Sequence, residues 1–267
     1  MNLHFLSLAS GSSGNCYYLG TDSYGILIDA GIGPRSIKKA LKEYSIPFER
    51  IIALLITHDH TDHIKYAGVL GEKFAIPVYT TSRIHEGMNR NYSMTEKIYS
   101  ARRDISKEVP FSIRDLQITA FNVSHDGTDN VGYTITLGDA SFGIATDIGM
   151  ITESVTKHLS KVQHLVIEAN YDVEMLQNGK YPAHLKQRIN GDLGHLSNQD
   201  CALFISSIAD EHLKCVYLCH ISKDNNHPEL AFKTIEMKLA DFGIRIGKEF
   251  DLIALKRNTP TGVFHLS

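Results

Sequence analysis

The sequence is short of everything that would staple, anchor or coat it. Four cysteines, Cys16, Cys201, Cys215 and Cys219, are spread over 267 residues with no C-x-x-C spacing. They exclude a disulfide scaffold and read as reduced, buried thiols. Apolar runs are equally short: IIALLI at 51–56 is typical of the longest, against the ~20 residues a membrane helix requires. The opening MNLHFLSLAS lacks the charged region of a signal peptide, so a soluble, cytoplasmic protein with no membrane partner is expected. Positive charge is not in excess either. Lys and Arg number 27 against 30 Asp and Glu, a net charge of −3, which excludes a wholesale basic coat for nucleic acid and leaves room only for a local basic groove. Linkers, low-complexity tracts and short-period repeats are missing too, and the length fits one large α/β domain spanning 1–267. A chain of this size buries roughly 70–75% of its unfolded surface without a structural metal, so any metal it holds is functional.

What the chain does have is a regular succession of strand and helix patterns. LHFLSL, NCYYLG and YGILID read as short strands separated by the turn clusters GSSG and TDSYG. A helix begins at Pro34 and runs to 44, with Ile37, Ala40 and Leu41 at helical spacing. IIALLI reads as a strand covered on both faces, 64–74 as a helix, PVYTT as a strand and 82–89 as the start of another helix. The polar, weakly patterned stretch 91–108 reads as a loop or lid. Strands return with LQITAFNVS, GYTITL and FGIAT, the last two joined by a tight turn at Gly138-Asp139. A helix over 152–159, the strand HLVIEA, two helices between 171 and 190, and a helix capped by Ser197 and running through 209 follow. CVYLCH, a helix over 228–240 and the strands FDLIALK and GVFHLS complete the chain. Each half runs strands, helix, then strands and helices again. That pattern predicts two sheets packed face to face with helices outside.

Histidine is plentiful, 14 in all, and its placement carries the chemistry. His58, His60, Asp62 and His63 crowd into one short segment, and imidazole and carboxylate are the side chains that bind borderline divalent metals. Histidines at alternate positions of an extended segment point the same way, so His58 and His60 can share one ion. Asp62 and His63, beyond the turn, can reach a second. His125 follows the strand ITAFNVS, Asp147 follows FGIAT and His220 follows CVYLC. The crevice outside the carboxyl ends of strands is where α/β folds bind ligands, so these segments can converge. The expected set is His58, His60 and His125 on one ion, Asp62, His63 and His220 on the other, and Asp147 between. Two divalent ions are expected, zinc first, with manganese and iron open. With two carboxylates and a bridging hydroxide, such a site stays cationic and suits an anionic phosphodiester.

The segment His58-Asp59-His60-Thr61-Asp62-His63 resembles the H-x-H-x-D-H signature of the metallo-β-lactamase fold hydrolases. Asp29, His125, Asp147 and His220 match that family's further positions. The resemblance spans essentially the whole chain and implies an αββα four-layer sandwich, two mixed β-sheets with helices outside and the metals at one edge. SLASGSSGNCYYL, DAGIGPRSI, ITHDHTDHI, EANYD, GHLSN and HISKDNNHPEL are similar to the YycJ/WalJ-like subgroup. That similarity implies 5′-to-3′ exonuclease action by metal-bound hydroxide, on DNA rather than RNA, with Asp62 catalytic as well as a ligand. Similarity to ribonuclease Z implies a proton-donating pair of Glu168 and His195. The long tRNA-binding arm of that enzyme and the second, inserted domain of ribonuclease J have no counterpart, so tRNA processing is not expected.

Plainer readings stand beside these. Asp147 can cap the following helix, Asp29 can be a turn residue or orient a ligand histidine, and Glu168 with His195 can be a structural pair. The loop GSSGN can be a hairpin turn or hold phosphate on its amides. Lys38, Lys39 and Lys42, like Lys186 and Arg188, read as solvated helix faces, with a phosphate track the alternative. His4, His85, His158, His164, His184, His212, His227 and His265 read as structural or surface positions, His227 being the nearest rival to His220. The rival activity is a thioester or lactone hydrolase resembling glyoxalase II. A dinuclear oxidoreductase like the flavodiiron proteins, which carry glutamate where His60 stands, and a non-catalytic metal-binding regulator are the other classes. Oligomeric state is left open.

Overall fold

The computed structural model describes residues 2–266, and the last residue of the strand GVFHLS lies outside them. Fourteen strands form two seven-stranded sheets among the described residues. In spatial order the first sheet holds β14 (Thr261–Leu266), β1 (Leu3–Ala9), β2 (Cys16–Gly20), β3 (Gly25–Ile28), β4 (Ile51–Leu55), β5 (Val78–Thr81) and β6 (Arg102–Ile105). The second holds β13 (Asp251–Ala254), β12 (Cys215–Cys219), β11 (His164–Glu168), β10 (Ala140–Ala145), β9 (Val131–Leu137), β8 (Leu116–Asn122) and β7 (Phe111–Ile113).

Both sheets follow one plan. Antiparallel neighbours lead into a run of parallel pairs, from β3 through β6 in the first sheet and from β10 through β13 in the second. Parallel pairing aligns the carboxyl ends of these strands along one edge of each sheet, which is where the site will lie. β3, β11 and β12 are buried along their whole length, as unbroken apolar runs covered on both faces require. Aromatic side chains lock the layers: the Phe5 ring of the first sheet lies 5.1 Å from Phe142 and 4.9 Å from Tyr217 of the second, centroid to centroid. All four cysteines are buried and free.

Helices cover the outer faces. α1 (Pro34–Glu43), α2 (Thr61–Ile64) and α3 (Ser82–Arg90) belong to the first half of the chain. α4 (Glu153–Leu159), α5 (Val173–Asn178), α6 (Ala183–Ile189), α7 (Asn198–Ile208) and α8 (Pro228–Asp241) belong to the second. The caps follow from sequence: Ser197 Oγ accepts from the Asp200 amide at 3.0 Å, and Thr152 Oγ1 from that of Val155 at 3.3 Å. Lys38 on α1 is more than a solvated charge, since its ammonium sits 4.6 Å from the Phe48 ring centroid and 4.5 Å from that of Phe74.

Two expectations are corrected. The helix expected over 64–74 starts earlier, at Thr61, breaks after Ile64 and resumes as a single wide turn at Val69–Lys73. The reason is the following loop: a side chain on Gly68 would overlap the Glu96 carbonyl, and Glu72 turns out to accept from the amides of Tyr99 (2.7 Å) and Ala101 (3.0 Å). Nor is 91–108 all loop. Arg102–Ile105 forms β6, paired in parallel with β5, and its charged sequence suits the sheet edge it occupies.

Candidate metal centre

Every predicted site residue lies at the carboxyl edge of the two sheets. His58 and His60 follow β4, Asp62 and His63 form the first turn of α2, and Asp29 follows β3. His125, Asp147 and His220 follow β8, β10 and β12, Glu168 ends β11, and His195 precedes α7. Three of these residues, Asp29 (φ 61°), Asp147 (φ 53°) and His220 (φ 51°), adopt the left-handed backbone that Asp, Asn and His tolerate better than most residues. The chain turns sharply at each strand end, delivering Asp147 and His220 into the cleft and Asp29 behind His63.

The side chains meet as the sequence predicts. His58 ring centroids lie 4.8 Å from His60 and 5.1 Å from His125, and His60 Nδ1 is 3.2 Å from His125 Nε2. Beside this trio, Asp62 Oδ2 lies 3.4 Å from His63 Nε2 and 3.3 Å from His220 Nε2. Asp147 stands between the groups, 3.1 Å from His63 Nε2, 3.4 Å from His220 Nδ1 and 3.7 Å from His125 Nε2. It caps no helix, because Thr152 caps α4. In His58-His60-His125, in Asp62-His63-His220 and in His58-His63-Asp147, one ligating atom per residue falls within 4.8 Å of the others.

The two trios differ electrostatically. Burial, reinforced by the cationic His63 beside it, pushes His58 well below the ordinary histidine value, and burial lowers His125 as well. Their lone pairs are free for a ligand. Burial opposes charge at His63 and His220 too, but Asp147 and Asp62 outweigh it, holding His63 well above the ordinary value and His220 at about 10. The same contacts hold Asp147 and Asp62 well below the carboxylate range against the pull of burial.

A ring of outer contacts fixes the orientation of these groups. The Asp29 carboxylate accepts from His63 Nδ1 at 2.7 Å, from the Thr57 amide at 2.9 Å and from the Thr57 hydroxyl at 2.9 Å. That hydroxyl in turn lies 3.0 Å from His58 Nδ1, so one carboxylate aims the Nε2 atoms of two histidines. Asp29 is thus an orienting group rather than a turn residue. His125 Nδ1 donates to the Gly194 carbonyl at 2.8 Å, leaving its Nε2 toward the cleft. Glu168, fully buried, accepts from His195 Nδ1 at 2.8 Å and His220 Nδ1 at 2.8 Å, and from the Ile148 (2.8 Å) and Leu196 (3.0 Å) amides. His227, the rival to His220, instead caps α8 by accepting from the Glu229 amide at 3.3 Å.

Three participants escaped the sequence reading. Asn15, in the loop read as a turn or phosphate cradle, donates to Asp62 Oδ2 at 3.2 Å and lies 2.9 Å from His63 Nε2. Asp126 lies 3.3 Å from His60 Nε2, and its signal was its position directly after His125. Arg188, expected on a solvated helix face, donates to Asp126 at 2.7 Å and brings its guanidinium to the rim of the site.

The Beta-lactamase superfamily domain matches residues 24–221. The chain is 33% identical over 266 residues to the exodeoxyribonuclease YycJ of Bacillus anthracis, covering 98% of this chain and 99% of that protein. The chain belongs to the metallo-β-lactamase superfamily. A second relative, the exodeoxyribonuclease WalJ of Streptococcus pneumoniae serotype 2, is 37% identical over 257 residues, 95% of this chain and 94% of the relative. Solved metallo-β-lactamase structures share the fold. YhfI of Bacillus subtilis superposes with a TM-score of 0.70 at 14% identity, over 98% and 99% of the two chains. Zn(2+)-bound PqqB of Methylobacterium extorquens superposes with a TM-score of 0.68 at 17% identity, over 97% and 100%. The superfamily implies divalent metal, and this cleft fits one. His58 Nε2 is buried without a hydrogen-bond partner, an arrangement that costs free energy unless a cation takes the lone pair.

Proposed function

We propose that this protein is a metal-dependent exodeoxyribonuclease that degrades DNA from the 5′ end, with the entire chain acting as one domain. The observation that carries the reading is the convergence of His58, His60, Asp62, His63, His125, Asp147 and His220, from both sheets, on one cleft in a chain related along its length to two exodeoxyribonucleases. That relationship favours the nuclease over a thioester or lactone hydrolase.

In this reading His58, His60 and His125 hold one divalent ion, Asp62, His63 and His220 a second, and Asp147 both, with zinc the preferred metal. Such a pair, when bound, lowers the pKa of water and offsets charge on the phosphate. The protein's own groups do the rest. Asp29 and Thr57 hold the ligand imidazoles in register, so the donors need not reorganise. Arg188 at the rim draws the phosphate inward. His195 is fixed by Glu168 through Nδ1, which leaves Nε2 as the nitrogen that gives its proton to the departing oxygen.

Replacing Asp62 or His63 with alanine tests the assignment. Digestion of end-labelled DNA should be abolished while circular dichroism reports a folded chain. Digestion at the parent rate would sink it, and turnover of a thioester panel without DNA cleavage would transfer the chain to the rival activity.

A further inference from the structure

A cavity of about 400 Å³ opens beside His195, between the turn after Asp147 and the first turns of α7. Its volume is at the lower end of the ~300–1,000 Å³ typical of small-molecule pockets, room for one nucleoside rather than a stack of bases. Met150 and Leu203, each 44% exposed, and Phe204 give it apolar walls. Asp192 and Asp200 add carboxylates, while no lysine or arginine lines it among the described residues. Phosphate is therefore repelled. A flat, uncharged ring bearing N–H donors is suited on both counts.

We propose that this cavity is the subsite for the base of the nucleoside whose oxygen leaves phosphorus, an inference that rests on the nuclease reading. His195 lines the cavity, and the oxygen it protonates must lie within hydrogen-bond reach of Nε2. The sugar carrying that oxygen then stands at the mouth, and its base enters. In the reaction water adds to phosphorus and releases a proton to solvent. The bond from phosphorus to this nucleoside breaks, its oxygen takes the proton from His195, and solvent reprotonates the imidazole. The phosphates stay at the histidine-rich cleft and the base stays against Met150 and Leu203.

The test uses DNA with an abasic residue on one side or the other of the scissile phosphate. The fragment that ends in a hydroxyl identifies the leaving side. Loss of the leaving-side base should lower kcat/KM about tenfold, loss of the opposite base less than about twofold. Leu203→Trp, a change on the exposed side of α7, should lower kcat/KM on intact DNA by a similar factor and abolish the difference between the two abasic substrates. Equal rates on all three substrates, or sensitivity only on the opposite side, would overturn the proposal. A second measurement needs neither turnover nor metal: 2-aminopurine at the leaving-side position should change fluorescence on binding the metal-free protein, and Leu203→Trp should cancel the change. If the parent cuts no DNA, the nuclease reading falls and takes the leaving-side assignment with it; if the parent cuts DNA and this titration gives no response, the subsite alone is overturned.

Discussion

Asparagine in place of Asp29 tests whether the cleft is built to hold an ion. The Asp29 carboxylate is fully buried and uses both oxygens, one on the Thr57 amide at 2.9 Å, the other on the Thr57 hydroxyl at 2.9 Å and His63 Nδ1 at 2.7 Å. Asparagine is nearly isosteric and tolerates φ 61°, so the backbone has no reason to move. An amide, however, can accept on only one side. With its oxygen toward the Thr57 amide, its NH2 faces His63, drives that proton to Nε2 and blocks the nitrogen that points at Asp62 and Asp147. With its oxygen toward His63, two buried donors oppose each other at Thr57. Either arrangement removes a charge-assisted hydrogen bond and misaims a proposed ligand, and loss of such an outer partner costs about 10–100-fold in metal affinity. That range corresponds to about 1.4–2.7 kcal/mol. Competition with a chromophoric chelator measures it directly, and activity should return when metal is in excess. A folded Asp29→Asn protein that binds metal as tightly as the parent would refute the orienting role.

Other perturbations address the remaining parts of the site. His195→Gln should lower kcat by about 10²–10⁴ with metal content unchanged, and Glu168→Gln should move kcat the same way; steady-state kinetics with an unchanged kcat would remove the pair from the reaction. Chelation should abolish DNA cleavage and lower the Tm, and zinc or manganese should restore both, as scanning calorimetry can follow. In the metal-free protein His220 is raised to about 10, so its ion pairs stabilise the fold fully below about pH 6.5 and lose that contribution as pH climbs through about 10. Metal displaces the same protons, so titration near about pH 7 in buffers of different ionisation heat should show proton release, and a heat independent of buffer would contradict it. Gly31→Ala puts a Cβ into the Asp62 carbonyl and the Asn15 amide, both rigid backbone. Urea unfolding should register a loss of more than about 2 kcal/mol, and parent stability would mean that the loop can yield.

Much of the site was legible because its proposed ligands come from motifs tied to strand ends. HDHTDH announced itself by composition, and His125, Asp147 and His220 by following apolar runs whose strand character was plain. The layered architecture was readable for the same reason: GILI and CVYLC are too short and too apolar to be anything but buried strands. What failed was local chemistry decided by tertiary contact. The helix expected over 64–74 has an adequate pattern, but the approach of the 91–101 segment at Gly68 bends it. RRDI has no period-2 apolar alternation, and only the exposed backbone of β5 makes it a strand. Asn15 and Arg188 carry no pattern of their own, and Asp126 only its place after His125. Their roles exist only because folding sets Asn15 against His63, Asp126 against His60 and Arg188 against Asp126.

The strained strand ends explain why such a site is compatible with so ordinary a scaffold. A parallel strand that simply ran on would carry its side chains alternately above and below the sheet, and none would point along the edge. Asp29, Asp147 and His220 each spend one residue in the left-handed region to turn the chain and aim a side chain into the gap between the sheets. Glycine would remove that strain, of order 1–3 kcal/mol at each position. It would also remove the carboxylate or imidazole that makes the turn worth having. The surroundings hold two of these residues in place: the Asp29 amide donates to Leu55 across the sheet at 2.8 Å, and the His220 amide donates to the Ser10 hydroxyl at 3.0 Å. Two sheets with the same plan therefore supply a rigid frame, and the cost of reactivity is confined to the few residues at its edge.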